Sequence, residues 1–121
     1  MWRRIEGHSW HQINGKKFFE NKDKIDFYVF VTYIPEQGEH KFERFVNEFI
    51  IVPSNELEKR IKSKKPSKEM YSFSFHFEKD KITGKYNTIR DHRETIEKTP
   101  LTDYSIFLDN WNLITNKLEK E

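Results

Sequence analysis

Six cations stand close together at Lys59, Arg60, Lys62, Lys64, Lys65 and Lys68, with no acid between them. Ammonium and guanidinium groups at that density suit phosphate oxygens. They release the counterions condensed on a nucleic-acid backbone and give tight, salt-sensitive binding that does not read sequence. The same run also suits a solvated helix end, where cations complement the negative pole of the helix. The formal net charge is only +2, so the basic character is local. Other chemistries fare worse on spacing. The chain has no cysteine, which removes disulfides, thiolate nucleophiles, Cys-ligated zinc and iron–sulfur clusters. His8 and His11 are three apart, on opposite faces if they lie in a strand. His76 is expected to face outward between Ser74 and Glu78 with no visible partner, and His92 lies in the charged run Asp91-His92-Arg93-Glu94. No metal site follows from these spacings. The glycines are scattered at 7, 15, 38 and 84, so no phosphate-cradling loop is written.

These residues need elements to position them. A chain of 121 residues is expected to form one domain, 1–121. Its Leu, Ile, Val and Phe content is enough for a small core, and 16% of the chain is aromatic, so a few large side chains fill that core. No apolar run approaches the roughly 20 residues of a membrane span. Arg3 and Arg4 are followed by no apolar stretch, so the start does not read as a secretory signal, and a cytoplasmic protein without membrane association is expected.

Ile25 to Ile34 is apolar at both parities, which predicts a strand buried on both faces. Pro35 to Glu39 reads as a turn, and Phe45 to Val52 as a second strand pairing with the first. After Pro53 the period changes. Ser54 as N-cap, Glu56 and Glu58 in the first turn, Leu57 and Ile61 on one stripe and Pro66 as a stop predict a helix over 54–64. Tyr71, Phe73, Phe75 and Phe77 alternate with polar residues. They could stack on bases, but the shortage of aliphatics assigns them to the core of a half-buried strand. Lys85 to Ile89 is a short return strand, and Ser9 to Ile13 an additional one with Trp10 pointing inward. A last helix after Thr102 or Asp103 would align Phe107, Trp111, Ile114 and Leu118. The fold class is α+β: a small, mostly antiparallel or mixed sheet with two helices on one face.

Three segments, in order, carry a resemblance: Asp26-Phe27-Tyr28-Val29-Phe30-Val31, then Phe49-Ile50-Ile51-Val52-Pro53-Ser54-Asn55-Glu56-Leu57, then Tyr104 to Ile114 with Leu108-Asp109-Asn110-Trp111. Together they resemble the C-terminal half of small bacterial proteins of the restriction-endonuclease-like superfamily, the PD-(D/E)XK nucleases. Trp10 and the pair Lys16-Lys17 match features upstream of the first segment. The resemblance covers roughly residues 9 to 114 and implies part of that fold together with a nucleic-acid-associated function. In that family an acid and an acid-x-lysine triplet hold magnesium and activate water, in a half of the protein that precedes the first segment. Here Glu20-Asn21-Lys22 and Glu39-His40-Lys41 are the available triplets, and neither follows an acid-bearing strand.

The expectation is therefore the scaffold without its catalytic half: no catalytic or metal residues, no cofactor, and magnesium only if a partner or a missing half completes a nuclease. Lys59, Arg60, Lys62, Lys64, Lys65 and Lys68 are the expected phosphate contacts. A sheet edge left without its neighbour invites a homodimer or a protein partner, for which the edge of Phe45 to Val52 and the Phe-rich strand are the expected surface.

Overall fold

Phe30, Thr32 and Ile34 are buried while Val29, Val31 and Tyr33, between them, are exposed. The strand read as buried on both sides is therefore covered on one. It is β3 (Phe27–Gln37), antiparallel along its whole length to β4 (Glu43–Pro53). The structure is a computed structural model and describes residues 3–4, 8–38, 43–83, 85–92 and 100–120. β1 (Arg3–Arg4) adds to β3 at Glu36 and Gln37, completing one three-stranded sheet in the order β1-β3-β4. β2 (His8–Asn14) pairs with β5 (Met70–Lys79), which pairs with β6 (Tyr86–Asp91), making a second sheet in the order β2-β5-β6. The α+β class and the antiparallel pairing agree with the sequence. The strands divide into two sheets because β3 and β5 each have one greasy face and need something to lay it on.

The core lies between those faces. Phe30 meets Phe73 at 5.3 Å and Phe75 at 5.1 Å between ring centroids, and Tyr104 closes on Phe75 at 4.8 Å. Ile34, Ile50, Val52 and Ile89 fill the space between the rings. An aromatic core of this kind follows from a chain poor in small aliphatics.

Among the described residues three helices decorate the sheets. α1 (Gly15–Asn21) was not foreseen, though its start was legible: the Asn14 side chain accepts the Lys17 amide hydrogen at 3.0 Å, an ordinary N-cap. It buries Phe18 against Tyr28, and a Cβ at Gly15 would sit 2.5 Å from the Tyr71 ring, so only glycine fits there. α2 (Ser54–Lys62) forms as expected with Leu57 and Ile61 inward. Ser54 is its first helical residue and not its cap; its hydroxyl goes instead to the Ile25 carbonyl. α3 (Asn112–Lys120) starts later than expected, after two 3-10 turns at Pro100–Thr102 and Ser105–Phe107. Phe107 is thus buried by a turn, while Trp111 is 47% exposed and rests on Phe49, and Leu118 is exposed. Trp10 is 58% exposed and points away from the core, contrary to the inward placement expected for it. No helix among the described residues is long and apolar enough to cross a membrane.

Candidate nucleic-acid interface

A helix turns by 100° per residue, so Lys59, Arg60 and Lys62 of α2 cannot all face the same way, and Lys64, Lys65 and Lys68 follow in the loop to β5. The structure divides them. Arg60 is buried: its guanidinium donates to the Glu56 carboxylate at 2.8 Å, to the Glu56 carbonyl at 3.1 Å and to the Asp103 carbonyl at 3.3 Å. It also lies over the rings of Tyr104 and Phe107, at 5.0 and 4.8 Å from their centroids. Lys64 is buried as well. Its ammonium pairs with the Asp91 carboxylate and sits 4.7 Å from the Phe73 ring centroid, while Asp91 also accepts the Ser74 amide hydrogen at 2.9 Å. Two of the six expected phosphate contacts thus join α2 and the start of the loop after it to the rest of the core.

The other four stay at the surface. Lys59 pairs with Glu56 at 3.2 Å and Lys62 with Glu58 at 3.6 Å, pairs of the helical kind in which the lysines are exposed and the carboxylates half-buried. These carboxylates are held below their usual range. For Glu56 the Arg60 hydrogen bond is the main cause, and for Glu58 the Lys22 hydrogen bond. Lys65 and Lys68 are exposed on the loop to β5. That loop ends in a tight turn: Ser67 and Met70 exchange backbone hydrogen bonds at 2.9 Å, and Lys68 and Glu69 between them have φ of 51° and 68°. Left-handed backbone at two consecutive non-glycine residues is unusual, and it holds the Lys68 side chain out at the turn's tip.

The fold adds two cations that the linear run omits. The Gly15 amide donates to the Glu69 carbonyl at 2.8 Å, so α1 begins against the Lys68–Glu69 turn. Lys16 and Lys17, both exposed, therefore share one end of the molecule with Lys65 and Lys68. Glu20 and Glu69 are the exposed acids among them. At the other end of α1, Lys22 bonds Glu58 at 3.2 Å, tying α1 to α2. Beside that bond lies a cavity of about 470 Å³ lined by Ile25, Asp26, Ser54, Leu113 and Lys117, and there Lys117 pairs with Asp26 at 2.9 Å.

The remaining sequence candidates separate. Glu20 and Lys22 sit in and just after α1, with Lys22 committed to Glu58; Glu39-His40-Lys41 lies outside the described residues. Among the described residues no three His, Asp or Glu side chains gather to hold a metal. His76 does have a neighbour, the His92 ring at 4.1 Å, a contact that only strand pairing reveals. Tyr71, Phe73, Phe75 and Phe77 lie on the central strand of their sheet, and the three phenylalanines are fully enclosed. Searches against family models, curated proteins and solved structures find no match to this chain.

Proposed function

We propose that this protein associates with nucleic acid through the phosphate backbone, at the end of the molecule where the loop after α2 meets α1. The observation that carries the reading is the Gly15–Glu69 hydrogen bond, which brings Lys16 and Lys17 to the turn bearing Lys65 and Lys68. Separate segments supplying cations to one end is an arrangement that can follow a phosphate track, where a single helix end is explained by its own dipole. Lys62 and Lys59, both exposed, extend the surface along α2. Arg60 and Lys64 are left out of the interface, because moving them would open the core. The resemblance to the C-terminal half of restriction-endonuclease-like proteins leans the same way. No autonomous nuclease activity is part of this reading, and its setting is the cytoplasm.

Fluorescence anisotropy of labelled duplex and single-stranded DNA across a salt series tests it. Reversing Lys62, Lys65 and Lys68 to Glu is expected to weaken binding by about tenfold or more and to lower the log–log salt slope by up to about 3. Reversing Lys16 and Lys17 lowers it by up to about 2. Lys81→Glu, in the turn at the far end of β5, serves as the control and leaves binding unchanged. No binding at low salt, or binding indifferent to these reversals, overturns the reading.

A further inference from the structure

The outer face of the second sheet carries a cluster that the sequence scatters. The chain has five histidines, and pairing along β5 gathers three of their positions at one place. His76 stands on β5, the central strand. Its register partner on β2 is His8, so position 8 lies on the same face one strand away. On the other side β6 ends at Asp91, and His92 continues its line: the His92 amide donates to the Ser74 carbonyl at 2.8 Å. That bond fixes His92 diagonally across from His76. The two imidazole rings lie 4.1 Å apart between centroids, with their planes at 39°. Both side chains are exposed. Positions 8, 76 and 92 are brought together by strand pairing, which is why no spacing along the chain announces them.

We propose that His76 and His92 form a clamp for a divalent transition-metal ion of the zinc, nickel or copper class. An imidazole nitrogen binds such an ion at about 2.0–2.1 Å, which puts the ion about 3.2 Å from the ring centroid. Two imidazoles at a right angle around the ion then have centroids about 4.5 Å apart, and at the tetrahedral angle about 5.2 Å. The observed 4.1 Å is within about 1 Å of both, a difference that exposed side chains cover by rotating about their own bonds. The backbone need not move, since β5 is held by a strand on each side and His92 by its bond to Ser74. The surroundings choose the class of ion. Glu78, two residues further along β5, and Arg90, opposite His76 on β6, put one charge of each sign on this face. Their fields offset each other, so affinity has to come from the imidazoles, which suit zinc, nickel and copper. Calcium and magnesium take about six oxygen ligands or more, which one glutamate does not supply. Two protein ligands leave the ion's other positions to water or a further donor, and the register sets position 8 beside them. His76 lies about 20 Å along β5 from Met70, so the site is separate from the basic end and does not rest on the nucleic-acid reading.

Isothermal titration calorimetry of zinc chloride into the untagged full chain is the test, with circular dichroism to confirm that each variant folds. Uptake of one ion per chain is expected, with affinity at least about tenfold weaker in His76→Ala and in His92→Ala. Should an alanine variant fail to fold, His76→Gln and His92→Gln make the same test. His11→Gln, on the inner face of the same sheet against Phe30, is expected to bind as the native chain does. A chain that takes up no zinc overturns the inference, and so does uptake indifferent to substitution at either His76 or His92.

Discussion

Along one seam of the sandwich, between β4 and β6, residues 102–109 bond to both sheets; along the other, between β2 and β3, α1 packs Phe18 on Tyr28, and a cleft of about 250 Å³ is lined by His11 to Ile13 and Tyr28 to Val31. At the closed seam the Tyr104 amide donates to the Ile89 carbonyl at 2.9 Å, and the Asp109 amide to the Phe49 carbonyl at 2.7 Å. Single bridges join Arg90 to Asp103 and Ile50 to Leu108. Arg60 and the Lys64–Asp91 pair are buried behind this strap. The edge of β4, expected to be the contact surface, is thereby already in use around Phe49 and Ile50. At the open seam Phe27 to Ile34 of β3 carries no charged residue. The difference teaches where each class of residue goes: charge is spent inside to lock the closed seam and withheld from the open one. The strapped edge is held by groups from both sheets.

The largest effect expected is at the closed seam. Lys64→Ala leaves the Asp91 carboxylate buried without its cation and costs about 3–5 kcal/mol, read from urea unfolding. Lys64→Met combined with Asp91→Asn recovers a large part of that loss. A cost under about 1 kcal/mol for Lys64→Ala would mean that the pair does not lock the seam. Next come two tyrosines, one per seam, whose buried hydroxyls lack a hydrogen-bond partner among the described residues: Tyr104 and Tyr28. Burial raises the pKa of both, and at Tyr104 the Asp91 carboxylate adds to it. Tyr104→Phe relieves an unsatisfied group in a dry place and raises stability by about 1 kcal/mol. Tyr28→Phe, at a residue only half-buried on the wall of the cleft, changes it by less than about 0.5 kcal/mol. Equal effects would erase the distinction between the seams.

The smallest effect is a pH dependence at the open seam. Burial lowers the His11 pKa below 6.5 in the folded state, and Ser9 is its hydrogen-bond neighbour at 3.1 Å. A depressed histidine contributes stability that is fully present above the unfolded value and is lost as pH falls through it. Thermal unfolding between pH 7.5 and 5.5 should therefore show a smaller drop in Tm for His11→Gln than for the native chain. Identical profiles would place His11 outside the cleft's polarity balance.

Much of the local structure was legible. A continuous apolar run marked Ile25–Ile34 as a strand, though not that only one face is covered, and alternation marked Tyr71–Phe77, because a pleated chain buries every second residue. The Pro53-to-Pro66 punctuation marked α2, because proline tolerates only the ends of a helix. The α1 cap at Asn14 was visible too, but a seven-residue helix with two adjacent phenylalanines shows no stripe. The C-terminal pattern misled, since Phe107, Trp111, Ile114 and Leu118 share a face only if one helix carries them all. A left-handed residue, Asp109 with φ of 47°, breaks the chain between the turn and α3. The candidate site was half legible. Lys59, Lys62, Lys65 and Lys68 are at the surface, as their run suggested. Arg60 and Lys64 look the same in the sequence, but helical phase and the position of Asp91 on β6 draw them inside.

What the sequence by itself determined is local and periodic: which stretches extend, which coil, and that the class is α+β. These follow from sterics and from side-chain spacing along a few neighbouring residues. Only the tertiary structure decided which of six cations are buried, that Lys16 and Lys17 join Lys65 and Lys68, and which of two similar edges is strapped shut. Those outcomes depend on groups far apart in the chain meeting across sheets, and a desolvated charge can be placed only when its partner's position is settled.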